Sequence, residues 1–323
     1  MQYQRVTKEE RMHIYFWRQG GCAQSEIARR LRKSPSTISR EIKRNKGGRG
    51  YRPGQAQKKA EDRARRGGSR RFTKKICQEV AYQLQSGWTP EIISNRARHE
   101  RRECVGRETI YKYIYQDAKA GGKLWMYLPR AHRRRRRRCP RMEGRGRGCI
   151  PNQRRIDERP SNVEKRKYVG HWEGDLVNGS QHTGNLVTLV ERKTRFALVG
   201  RTDSKEAVEV KKVMCELFHR LPELARTGLT LDNGKEFALH EGIAKELKMD
   251  IYFAYPYHSW ERGSNENVNG LIRRLYSKQS SFAHIGKSEL KRIEQYLNDR
   301  PRKVLGWCTP REKMNEFMKS VRA

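Results

Sequence analysis

Apolar side chains recur at helical spacing in three short segments at the N-terminus. Thr7 to Gln19 follows a capping threonine and stops at Gly20-Gly21, and Gln24 to Leu31 puts Ile27, Ala28 and Leu31 on one face. The third segment begins at Ser34-Pro35, a cap followed by proline at the first helical position, and runs to Asn45 with Ile38 and Ile42 inward. Three short helices with a tight turn between the second and third predict a helix-turn-helix. Ser36, Thr37, Ser39, Arg40, Lys43 and Arg44 then point outward, where small polar and basic side chains reach base edges and phosphates. A basic three-helix bundle that binds no DNA has the same apolar pattern.

A weaker copy follows. Thr89-Pro90-Glu91-Ile92-Ile93 opens a helix with the same cap and proline, and Glu108-Thr109-Ile110 to Ile114 repeats the pattern of Thr37-Ile38 to Ile42. It reads as a second helix-turn-helix that lengthens the DNA site or, through Tyr111, Tyr113 and Tyr115, as a dimerisation element. Between Pro129 and Arg155 lie twelve arginines, six of them consecutive (Arg133 to Arg138). No core forms from that composition, which predicts a flexible linker that grips phosphates or merely tethers.

From Tyr168 the pattern changes to strands at 168–177, 185–192 and 195–202. A helix at 204–221, a strand at 228–232, a helix at 236–247, a strand at 250–255 and helices from Trp260 and Lys287 complete the chain. A three-stranded meander followed by alternating helices and strands predicts a mixed five-stranded sheet with helices on both faces. The chain therefore reads as multidomain: an all-α helix-turn-helix at 1–50, a second helical DNA-binding region at 51–128, an Arg-rich linker at 129–160 and an α/β core with C-terminal helices at 161–323.

Charge sharpens this division. The 323 residues carry 73 Lys+Arg against 36 Asp+Glu, a formal +37, of which +29 falls in residues 1–160 and +8 in the remainder. The first half is thus a polyanion binder, and an enzyme acting only on neutral small molecules is excluded. No stretch approaches the roughly 18 apolar residues of a membrane span, and no apolar run follows the charged N-terminus. These features predict a cytoplasmic, nucleoid-associated protein with no membrane partner. Seven cysteines without a C-x-x-C pair and nine histidines without an H-x(3–5)-H pair predict reduced thiols and no zinc module.

The candidate chemistry lies in three acids of the second half. Asp175 ends the first predicted strand in Trp172-Glu173-Gly174-Asp175, Asp232 ends the fourth in Leu231-Asp232-Asn233-Gly234, and Glu266 sits near the start of a helix. If the first and fourth strands pair, the two aspartates lie side by side and a returning helix brings Glu266 to face them. Three carboxylates repel unless cations sit among them, and all-oxygen ligation suits Mg²⁺ or Mn²⁺. Two such ions would serve in-line phosphoryl displacement. Taken singly, each acid also fits a turn, a strand end or a helix N-terminus.

From Trp172 to Arg273 the strings W-E-G-D-L-V, T-L-V-E-R-K-T-R, L-D-N-G-K-E-F and Y-F-A-Y-P-Y-H-S-W-E-R-G-S-N-E-N-V-N-G-L-I-R resemble the DDE catalytic domain of the insertion sequence 30 family of bacterial transposases. The N-terminal S-E-I-A-R-R-L and S-T-I-S-R-E-I-K-R-N, Tyr51-Arg52-Pro53, Asn298 to Arg302 and Thr309-Pro310 extend the resemblance over nearly the whole chain. It implies a ribonuclease-H-like (retroviral integrase) core with Asp175, Asp232 and Glu266 as the catalytic, metal-binding triad, two Mg²⁺ with Mn²⁺ as substitute, and Glu261 as a less favoured third acid; Glu173 shares a strand face with Asp175 and is a less favoured substitute. Asn233, Asn265, His258 and Arg262 orient water or end DNA, or make local hydrogen bonds. The implied partners are double-stranded DNA, at terminal inverted repeats and a target site, and at least one further copy of the chain in a synaptic complex. The segment Leu275 to Phe282 departs from the family pattern, and the arginine run at 133–138 is particular to this chain. A nuclease that cuts without joining and a regulator with a decayed core remain rival readings.

Overall fold

Thr7 caps the first helix with a reciprocal box: its side chain accepts from the Glu10 amide at 3.2 Å while Glu10 takes the Thr7 amide at 2.8 Å. In this computed structural model residues 5–66, 72–103, 105–129, 150–180, 183–256 and 258–322 are described. They divide into two units, Met1–Ile76 and Cys77–Ala323. The first unit contains α1 (Lys8–Gln19), α2 (Gln24–Arg30), α3 (Pro35–Asn45) and α4 (Pro53–Arg66). Ser34 caps α3 by accepting from the Thr37 amide, with Pro35 at the first helical position. Ile14, Ile27, Ile38 and Ile42 share one core with Tyr51 and Ala56. The division expected at residue 50 therefore falls inside this unit, because α4 and Tyr51 help to bury the same helices.

The chain continues through α5 (Lys74–Gln85), α6 (Pro90–His99) and α7 (Arg107–Lys119). Thr89 caps α6 by accepting from the Ile92 amide at 3.3 Å, and Ile110 and Ile114 of α7 are fully buried. Of the expected Arg-rich linker, residues 130–149 lie outside the described residues. From Ile150 onward the expectation fails: Ile150 joins the core of the second unit, and the Arg154 carbonyl accepts from the Phe253 amide at 2.8 Å.

After the short helix α8 (Ser161–Glu164), the sheet contains β1 (His171–Asn178), β2 (Asn185–Glu191), β3 (Ala197–Thr202), β4 (Gly228–Leu231) and β5 (Asp250–Phe253) in the order β3-β2-β1-β4-β5. The first three form an antiparallel meander, while β4 and β5 run parallel to β1. Between and after them come α9 (Ala207–His219), α10 (His240–Leu247), α11 (Gly263–Leu275), α12 (Lys287–Asn298) and α13 (Pro310–Arg322).

Alternation along the strands sorts two cores. Trp172, Leu176, Val187, Leu189, Leu229 and Leu231 face α9, α10 and α13, while Val177, Leu186 and Val190 face α11 and α12. Asn298 closes the open edge of β3 by exchanging two 2.8 Å hydrogen bonds with the Ala197 backbone, and Glu294 takes the Val199 amide at 2.9 Å. Among the described residues no helix is long and apolar enough to cross a membrane.

Candidate active site

Strand register decides where the two aspartates meet. In the parallel β1–β4 pair His171 lies opposite Gly228, Trp172 opposite Leu229 and Glu173 opposite Thr230. Continuing that register puts Asp175 level with Asp232, which follows the last residue of β4. Asp175 lies within β1 rather than at its end, since the strand continues to Asn178. Both aspartates are on the α11 face of the sheet, by strict alternation from Val177 and Leu231.

The Arg262 guanidinium bridges the pair. One nitrogen lies 3.6 Å from Asp175 Oδ1 and donates to the Gly174 carbonyl at 3.0 Å; the other donates to Asp232 Oδ2 at 3.1 Å. Asn269 donates to Asp175 Oδ2 at 2.7 Å, and the Leu176 amide donates to Asp175 Oδ1 at 2.9 Å. Thr188 of β2 supports Asn269 with a 3.2 Å hydrogen bond. Burial raises the Asp175 pKa above the usual carboxylate range; Arg262 opposes the shift and the Asp232 charge adds to it. Asp232 is held by the Gly234 amide at 3.0 Å.

Glu266 is exposed in the first turns of α11. Among the described residues no three acids, histidines or cysteines stand close enough to hold a metal ion as they are, so the structure joins Asp175 and Asp232 but does not draw Glu266 onto them. Helical spacing nevertheless relates them. Asn269, which touches Asp175, stands one turn after Glu266 on α11, and Arg262, which touches both aspartates, directly precedes the helix. This arrangement suits a divalent cation: two oxygen-only side chains, one desolvated, already share a cationic partner.

The other candidates are otherwise engaged. Glu261 accepts from the Tyr255 amide at 2.9 Å and lies 3.0 Å from His258 Nδ1, bracing the loop ahead of α11. Asn233 donates to the Ala254 carbonyl and accepts from Arg155. Glu173 is fully buried and accepts from the Ser264 and Asn265 amides, and the Asn265 side chain is buried. Sequence reasoning overlooked Asn269, although it stands three residues after Glu266 in the same N-E-N-V-N-G string. It also overlooked Glu236, whose pKa is raised first by burial and further by the charges of Asp232 and Asp175. The divergent Leu275–Phe282 segment clasps the β1–β2 turn: the Ser180 amide donates to the Ser280 carbonyl at 3.0 Å and the Phe282 amide to the Thr183 carbonyl at 2.9 Å.

In the first unit the expected DNA-facing residues are where the helical pattern placed them. Ser36, Ser39, Arg40, Lys43 and Arg44 are exposed and Thr37 is half-buried, its hydroxyl within 2.8 Å of the Ser34 cap.

Residues 2–45 match a helix-turn-helix domain family. The chain is 39% identical to a transposase for insertion sequence element IS4351 of Bacteroides fragilis, over 97% of this chain and 96% of that one. It is 36% identical to the transposase InsI for insertion sequence element IS30A of Escherichia coli K12, over 95% of this chain and 82% of that one. It is 34% identical to a transposase for insertion sequence element IS1086 of Cupriavidus metallidurans, over 95% and 93% respectively. The catalytic core domain of BIV integrase aligns with 47% of this chain and 98% of its own at 19% identity and TM-score 0.38.

A helix-turn-helix unit at the N-terminus and transposase relatives aligned over nearly the whole chain define a DNA transposase, a polynucleotidyl transferase that acts on DNA. More narrowly, the chain belongs to the transposases of IS30-family insertion sequences.

Proposed function

We propose that this transposase binds the terminal inverted repeats of its element and uses Asp175, Asp232 and Glu266 to cut and join DNA strands. The observation that carries this reading is the pairing of Asp175 and Asp232 under Arg262, with Asn269, one turn after Glu266 on α11, bonded to Asp175. In the first step a phosphodiester at the element's end is hydrolysed to leave a 3′-OH; in the second that hydroxyl attacks a phosphodiester of the target. Asp175, Asp232 and Glu266 would hold two Mg²⁺ or Mn²⁺ ions, which supply an activated nucleophile at neutral pH and neutralise charge at the attacking and leaving oxygens. The α3 face and the α6–α7 pair read the repeat, and the arginines at 133–138 grip phosphates without regard to sequence. Two element ends must be held together, so the working form is at least a dimer, acting on the nucleoid.

Incubating a labelled element end with the protein, Mg²⁺ and target duplex is expected to yield first a nicked 3′ end and then a joined product. Nicks that are never joined would make the protein a nuclease, and binding without cutting a regulator.

Arg262 competes for the same carboxylates in this reading. Arg262→Gln is therefore expected to tighten Mn²⁺ binding to the DNA-free protein by about threefold to tenfold, the worth of one partly exposed ion pair. Titration of free Mn²⁺ by electron paramagnetic resonance measures it, and weaker binding in the variant would contradict competition.

A further inference from the structure

The first turn of α11 has no cap of its own. Arg262, at the N-cap position, makes no side-chain hydrogen bond to the helix, and Gly263 has no side chain to offer. The amides of Ser264 and Asn265 instead donate to a single oxygen of Glu173, at 3.0 and 3.2 Å, from a strand 91 positions earlier in the chain. Glu173 is 0% exposed. A buried carboxylate is costly unless it is paired and hydrogen-bonded. Here its other oxygen lies 3.1 Å from Arg192, which follows β2 and is itself buried. A negative charge at a helix N-terminus is favoured by the helix dipole, and charge-assisted bonds to backbone amides are about twice as strong as neutral ones.

The position of this anchor is specific. Glu173 and Thr230 are register partners, and each stands two residues before an aspartate of the site on the same face of its strand. Thr230 accepts from the buried Arg159 at 2.9 Å, and Arg159 pairs with Glu164, which lies 3.8 Å from Arg192. One layer of the sheet thus presents Asp175 and Asp232, and the layer beneath it fastens the helix that carries Glu266. Glu266 follows Asn265 directly, so the two amide bonds to Glu173 tie down the turn of α11 that carries it.

We infer that Glu173 is a positioning residue for the cutting and joining reaction: it anchors the first turn of α11, the turn from which Glu266 reaches toward Asp175 and Asp232 when metal binds. The inference rests on Glu266 being the third acid of the site. Neighbours that orient metal-binding side chains typically change affinity or activity by about 10-fold to 100-fold when removed.

Four variants of the full-length chain test it: Glu173→Ala, Glu173→Gln, Glu266→Ala and the double variant Glu173→Ala/Glu266→Ala. Mn²⁺ affinity, hydrogen exchange of the first-turn amides of α11 and cleavage of a labelled terminal repeat are measured for each. Glu173→Ala is expected to weaken Mn²⁺ binding about 10-fold to 100-fold and to expose the Ser264 and Asn265 amides, with repeat binding unchanged. Glu173→Gln keeps a neutral acceptor and should fall between wild type and Glu173→Ala. The double variant should bind Mn²⁺ no more weakly than Glu266→Ala alone, since the anchor acts through Glu266. Additive losses would overturn the proposal. So would wild-type affinity and exchange in Glu173→Gln, which decides the matter if Glu173→Ala does not fold. If Glu266→Ala cleaves normally, the triad reading itself fails; if it is inactive while both Glu173 variants match wild type, only the anchor fails.

Discussion

Asp232→Asn is expected to leave the protein folded and bound to its terminal repeat but unable to cut it. The substitution keeps the side chain's shape, and Asn Oδ1 still accepts from the Gly234 amide, which holds Asp232 at 3.0 Å. It removes the negative charge that Arg262 now shares between Asp232 and Asp175 at 3.1 and 3.6 Å. Asp232 is partly exposed beyond the end of β4 and contributes nothing to either hydrophobic core, so the stability change should stay within about 1 kcal/mol. Losing one of the two paired carboxylates is expected to reduce strand cleavage by about a thousandfold, equivalent to about 4 kcal/mol of transition-state stabilisation. Cleavage and strand transfer of a labelled end, run beside a mobility-shift titration of the same DNA, separate the two effects. A variant that cuts at the wild-type rate would remove Asp232 from the site, and one that no longer binds the repeat would assign it a role in the fold.

The parts of this molecule that were legible in the sequence are those set by interactions within a few residues. The caps at Thr7, Ser34 and Thr89 and the isoleucine spacing of α3 and α7 are local, and the helices stand where those signals put them. The pairing of the two aspartates was legible for a different reason: the spacing from Asp175 to Asp232 equals that of the β1–β4 register partners, so strand pairing alone aligns them. Contacts between distant segments were not legible. Nothing near Tyr51 marks it as part of the α1–α3 core, and nothing near Ile150 separates it from the arginines before it. Strand alternation gives Glu173 the same face as Asp175, so by pattern alone it reads as a spare ligand. Its role depends on where α11 begins, and α11 is placed by packing of Val268, Leu271 and Ile272 against the sheet. The bridge that Arg262 makes between two acids was not legible, for the same reason.

Replacing Arg40 and Arg44 together by alanine is expected to abolish specific binding of the terminal repeat without unfolding the first unit. Both side chains are exposed on α3, opposite Ile38 and Ile42, which are buried against α1 and α2. Exposed substitutions of this kind change stability by no more than about 0.5 kcal/mol, so the thermal melt should be unaltered. An arginine bonded to a base edge in the major groove contributes about 1–3 kcal/mol of discrimination. Two such losses weaken specific binding by about 100-fold or more. The salt dependence assigns each arginine a role. A contact to phosphate lowers the slope of log affinity against log salt by about one and weakens all sequences alike; a contact to a base leaves the slope nearly unchanged and relaxes preference at one position. With +29 of formal charge in residues 1–160, non-specific binding should survive the loss of two arginines. The double variant is therefore expected to shift the protein from terminal repeats to arbitrary duplex. A footprint on the repeat identical to that of the wild type would show that another element reads the sequence, and the α6–α7 pair would then be the one to mutate.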